Sequence, residues 1–175
     1  QERLQNQNTP IDGTCPNSAI NALHFKKLLS SLFNLISRVD SSLRISASEV
    51  LDNICDRFVS IQVLAQRNQA KDYSFTGLTP NLFVEVLSEA ICGPIESHGE
   101  YATKLISRIY TRISENVTEE KIPELPLFFL LVEKLIAYCY GSEFSRKIGA
   151  CKGINLLCGF KLGARWMWMQ ESRIV

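Results

Sequence analysis

Two histidines and six cysteines are the residues of this chain best suited to nucleophilic or acid–base chemistry. A Cys–His nucleophile pair would need His24 or His98 beside Cys151 or Cys158 in space. Both histidines read instead as solvated, His24 on a helix rim and His98 in a turn. The cysteines stand at positions 15, 55, 92, 139, 151 and 158. They form no C-x-x-C pair, and no H-x-x-x-H occurs, so no metal-ligand spacing is present. Cys55, Cys139, Cys151 and Cys158 fall in helix-like apolar patterns, where a reduced thiol acts as a small hydrophobe. Disulfide frameworks belong to small, loop-rich secreted chains, so a reducing compartment is the expectation. No catalytic, cofactor-binding or metal-binding residue is assigned, and no cofactor is expected.

Other motifs resolve into packing or solvated charge. Gly149-Ala150-Cys151-Lys152-Gly153 resembles a phosphate loop superficially, but lacks the Gly-Lys-[Ser/Thr] ending and lies within a helix pattern. Its small residues, four apart on one face, instead permit close helix contact. Asn116-Val117-Thr118 matches a glycosylation sequon that means nothing without secretion. Trp166, Met167, Trp168 and Met169 suit either a seam between repeats or a partner groove. Lys161, Arg165 and Arg173 are too few for a nucleic-acid stripe, and Glu119-Glu120 looks like solvated charge.

The totals narrow the class. The chain has 175 residues, 46% of them hydrophobic, with 19 Lys and Arg against 18 Asp and Glu for a net charge of +1. That balance argues against a nucleic-acid or anionic-membrane binder working by bulk charge. Gln1 to Pro10 contains no apolar signal region. The longest apolar run, Leu125 to Val132, falls far short of the roughly 20 residues of a membrane span. The chain starts without Met and stops soon after a Trp-rich stretch, which reads as a piece of a longer polypeptide.

The elements that would position these residues are helices. Residues 1–17 are polar, with Gly13 and two prolines, and read as a loop or disordered lead-in. From Asn17 or Ser18 onward, Leu28, Leu29, Leu32, Ile36 and Val39 keep helical spacing. Asp40-Ser41-Ser42 supplies a new cap before Leu43, Ala47, Val50, Leu51, Ile54 and Phe58. Gln66 to Gly77 reads as a linker. Thr79-Pro80 opens a third helix that stops at Gly93-Pro94. A fourth is expected from about Glu100 to Ser114, burying Ala102, Leu105, Ile106 and Ile109. A fifth follows Pro123 to Pro126 and carries Phe128, Leu131, Leu135 and Ile136. A sixth spans about Glu143 to Leu157, and a seventh begins near Gln170. No stretch alternates with period two, so the fold is all-α.

The second helix of each pair repeats one pattern: a small residue, an aliphatic four later, another three beyond. The triplets are Ala47, Leu51, Ile54; Ala102, Ile106, Ile109; and Ala150, Ile154, Leu157. Arg44 and Lys147 precede the small residue by three positions in the first and third. An alanine there lets the paired helix approach, and the aliphatics fill the seam. Recurrence at about fifty residues points to an α-solenoid of about three HEAT-like antiparallel helix pairs over residues 18–175. A compact helical bundle is the alternative.

Glu124 to Trp166 resembles the HEAT region of the transformation/transcription-domain-associated protein family, very large pseudokinases related to phosphatidylinositol-3-kinase-related kinases. The resemblance rests on Leu125-Pro126-Leu127-Phe128, Cys139-Tyr140, Phe144 with Lys147 and Gly149-Ala150, and Trp166. Phe144 stands where the family usually has Trp, and Ala150 replaces a glycine. The resemblance implies a nuclear, non-catalytic scaffold or adaptor segment of a transcription co-activator subunit of histone acetyltransferase complexes. It also implies protein partners, namely complex subunits and transcription activators, and a kinase-like domain elsewhere in the full chain. Direct nucleic-acid and membrane binding are not expected. Alternatives are a HEAT-repeat transport receptor or phosphatase-type scaffold, and a compact helical enzyme using the Cys and His residues above.

Overall fold

The computed structural model describes residues 16–38, 40–68 and 79–160, and in these the apolar spacings become six helices. They are α1 (Pro16–Ile36), α2 (Ser41–Asn68), α3 (Pro80–Cys92), α4 (Glu96–Ser114), α5 (Pro126–Tyr140) and α6 (Phe144–Gly159). A single 3-10 turn, Ile122–Glu124, leads into α5.

Local chemistry sets several of the boundaries. Asp40 Oδ1 accepts from the backbone N–H groups of Ser42 at 2.8 Å and Leu43 at 3.3 Å, capping α2. Thr79 Oγ1 accepts from the Leu82 N–H at 3.2 Å, and Pro80 occupies the first turn of α3. Pro126 plays the same part in α5, where a missing N–H removes no helical bond.

The helices pair as three antiparallel hairpins, α1 with α2, α3 with α4 and α5 with α6, joined by short turns. The first helices stack in a row, α1 on α3 on α5, and α2 lies beside α4. The chain therefore forms an all-α solenoid, as its repeat pattern predicts. At its centre α3 buries Phe83, Val84, Val86, Leu87, Ser88, Ala90, Ile91 and Cys92. Asn81, Glu85 and Glu89, four apart, form its polar stripe, and α1, α4, α5 and α6 all touch the helix and enclose its apolar faces. Ser88, its buried polar residue, donates its hydroxyl to the Glu85 carbonyl at 2.9 Å.

The repeat triplet sits in the core. Ala47, Ala102 and Ala150 are all buried, as are Leu51, Ile106, Ile109 and Leu157, with Ile54 and Ile154 half-buried. The third hairpin departs from simple stacking, because α6 leans on α3 more than on α4.

Several expectations are corrected. Leu28, Leu43 and Val50, predicted to face inward, are exposed. The other predicted positions Leu29, Leu32 and Ile36 of α1 and Ala47, Leu51 and Phe58 of α2 are buried, joined by Phe33 and Cys55, so the buried stripe is shifted to one side of the predicted one. Helix α4 starts at Glu96, one turn before the predicted Glu100, so Gly99 is helical rather than part of a turn. Helix α2 continues to Asn68, which makes Gln66 to Asn68 its last turn and not a linker. Helix α1 opens at Pro16, so the last two residues of the expected lead-in are helical. Val39, the rest of the lead-in and linker, the seventh helix and the Trp166 to Met169 cluster lie outside the described residues.

Candidate protein-docking site

Among the described residues the two histidines lie on α1 and α4, and Cys151 and Cys158 on α6. His24 is exposed on α1. His98, expected in a solvated turn, lies instead in the first turn of α4, half-buried with its ring 5.9 Å from that of Phe33. Its Nε2 is buried with no hydrogen-bond partner. Burial, partly offset by a hydrogen bond to the Phe33 backbone, holds its pKa below the usual imidazole value. Cys151 and Cys158, expected as small core hydrophobes, are exposed on α6. The neighbour of the Cys151 thiol is a thiol, that of Cys139 of α5. Burial, followed by the nearby Cys151 thiol, raises Cys139 above the ordinary thiol value. Burial pushes Cys55 up to about 12 and Cys92 up to about 11. Nucleophilic cysteines need the opposite shift. Among the described residues no His, Cys, Asp and Glu side chains cluster to hold a metal ion.

What the fold does build is a joint and a cleft. Between the first two hairpins, Lys26 of α1 donates to Glu85 of α3 at 2.6 Å and to Glu89 at 3.1 Å. The Glu85 hydrogen bond, opposed by burial and helped by Glu89, raises the pKa of Lys26. Arg108 of α4 pairs with Asp52 and, at 3.0 Å, with Asp56 of α2. The Tyr101 hydroxyl donates to the Ser48 carbonyl at 3.0 Å; burial, then the charge of Asp52, raises its pKa.

Between the second and third hairpins, glycines bring backbones together. A Cβ on Gly149 would run into the Ile91 carbonyl oxygen and lie 2.7 Å from Cys92 Cα. One on Gly153 would sit 2.9 Å from a Leu135 methyl. The small-residue face of α6 is therefore where it meets α3 and α5. Gly99 of α4 also faces the Ile91 carbonyl. The end of α3 is thus wedged between the N-terminal halves of α4 and α6. At their other ends Tyr110 stacks on Phe160, rings 4.2 Å apart and 5° from parallel. The two helices run parallel, pinned at both ends.

Between them lies an open cleft of about 660 Å³, within the range of binding sites. Ile91 forms its floor, with Ile95 and Ile148, both more than 40% exposed, along its sides. Glu96, Glu100 and Lys104 come from α4 and Lys152 from α6. Tyr140 and Phe144, the most exposed large apolar residues described, flank the α5–α6 turn. Sequence reasoning missed the cleft, since its two walls lie some fifty residues apart. Its only trace in the chain was Gly99 and Gly149, each near the start of the second helix of its pair.

Stacked antiparallel hairpins with a small residue at the repeated contact define a HEAT-type solenoid. Within that class, the family model described as the Tra1 HEAT repeat ring region matches residues 4–175, and the chain belongs to that family. No solved structure matches it. Among the described residues no helix is long and apolar enough to cross a membrane.

Proposed function

We propose that this segment is a non-catalytic scaffold within a transcription co-activator subunit of nuclear histone acetyltransferase complexes, where it holds other subunits or activator segments. The observation that carries the reading is the family match over residues 4–175, joined to a solenoid whose surface offers a cleft. Repeat solenoids work by presenting extended surfaces to other proteins. The kinase-like domain of such a subunit would lie elsewhere in the full polypeptide. The test is affinity purification of the full-length protein from nuclear extract. Acetyltransferase subunits and activity should be recovered with it, and recovery of neither overturns the assignment.

A further inference from the structure

We propose that the cleft between α4 and α6 receives a short amphipathic helix of a partner protein, acidic at its N-terminal end and basic at its C-terminal end. This deepens the scaffold reading and rests on it.

The argument starts from how charge is laid out along the two walls. Glu96, Glu100 and Lys104 are spaced by four along α4, so they line one side of the cleft. At 1.5 Å per residue this row spans about 12 Å. Because α6 runs parallel, Lys152 lies toward the same inner end as Lys104. The cleft therefore has an acidic mouth at the helix N-termini, an apolar waist of Ile91, Ile95 and Ile148, and a basic inner end. All four charged side chains are exposed, and none is in an ion pair with another described residue. Their charge is available to a partner.

A helical occupant meets this layout in one orientation. Acidic residues are favoured in the first turn of a helix and basic residues in the last, because they oppose its macrodipole. Such a helix, antiparallel to α4 and α6, places its acidic start over Lys104 and Lys152. Its basic end, about eight residues later, then lies over Glu96 and Glu100. One apolar face between them covers Ile95 and Ile148 and fills the waist, following the helix-in-groove mode. The volume suits a few inserted side chains, with the rest of the helix left outside.

The test uses the full chain and a labelled, end-blocked twelve-residue helical peptide carrying glutamates in its first turn, leucines on one central face and lysines in its last turn. An isomer of identical composition with the charge order reversed is the control. Fluorescence anisotropy should give saturable one-to-one binding, at least tenfold tighter for the first peptide than for the second. Exchanging all four charges (Glu96→Lys, Glu100→Lys, Lys104→Glu and Lys152→Glu) should invert the preference, with an unchanged circular dichroism melt confirming folding. Equal binding of both isomers, no saturable binding, or a preference that ignores the exchange overturns the proposal. So does a dimer of the chain that the peptide dissociates, since a second copy would then fill the cleft. Selective peptide binding without recovered acetyltransferase subunits removes only the co-activator assignment; the converse removes only the cleft proposal.

Discussion

At the joint between the first two hairpins, buried rings such as Phe58 and Phe83 pack 4.7 Å apart beneath a rim of long polar side chains: Lys26 reaches across to Glu85 and Glu89, and Arg108 to Asp52 and Asp56. The next joint is backbone on backbone, with Gly149 of α6 set against Ile91 and Cys92 of α3. Their physics differs. Partly exposed ion pairs tolerate small shifts, weaken with salt and contribute little each. Close backbone contact has no such slack, because a single added methyl has nowhere to go. One solenoid thus contains a joint with an adjustable polar rim and a joint set by close backbone approach.

The sharpest way to break the contrast is Ala150→Asp. It places a carboxylate where α6 is fully buried and should cost about 3 kcal/mol or more. The melting temperature of the whole chain should fall visibly by circular dichroism; no change would show that Ala150 is not at a contact. Gly149→Ala comes next, at about 2 kcal/mol, because the obstacle is backbone and must move. Gly153→Ala is its control. There the obstacle is a Leu135 methyl that can rotate, and a gain of about 1 kcal/mol in helix propensity opposes the crowding. Its melt should stay close to that of the parent.

At the polar rim of the first joint, Arg108→Ala should cost about 0.5–1 kcal/mol. The difference should shrink as salt rises, which parallel melts at low and high ionic strength would read. The smallest effect concerns His98. Its folded-state pKa lies below the unfolded value of about 6.5, so protonation favours the unfolded chain. The stability present above that pH should fall as pH drops below it. His98→Phe should flatten the slope of melting temperature between pH 7 and 5, and an unaltered slope would show that other groups carry it.

Much of the architecture was legible because local chemistry and tertiary packing agree. Asp40 and Thr79-Pro80 announce helix starts through hydrogen bonds that a sequence can specify. Ala47, Ala102 and Ala150 mark contacts because a small side chain amid aliphatics has few other uses. Exposure was less legible: Leu28, Leu43 and Val50 keep helical spacing, yet spacing cannot tell which side of an apolar stripe a neighbour covers. The early start of α4 was hidden by Gly99, a residue that usually interrupts helices and here admits the end of α3. The position of His98 followed from that same error. The cleft was invisible in principle, since Ile95 and Ile148 become neighbours only after α3 has been wedged between their helices.

The contact of Gly149 with the end of α3 has a consequence for inheritance. In a long repeat protein, a tilt introduced at one articulation grows with distance, as along a lever arm. A missense change at Gly149 would leave most of the chain folded while misaiming whatever lies far along the superhelix. The resulting defect would surface in contacts far from the altered residue.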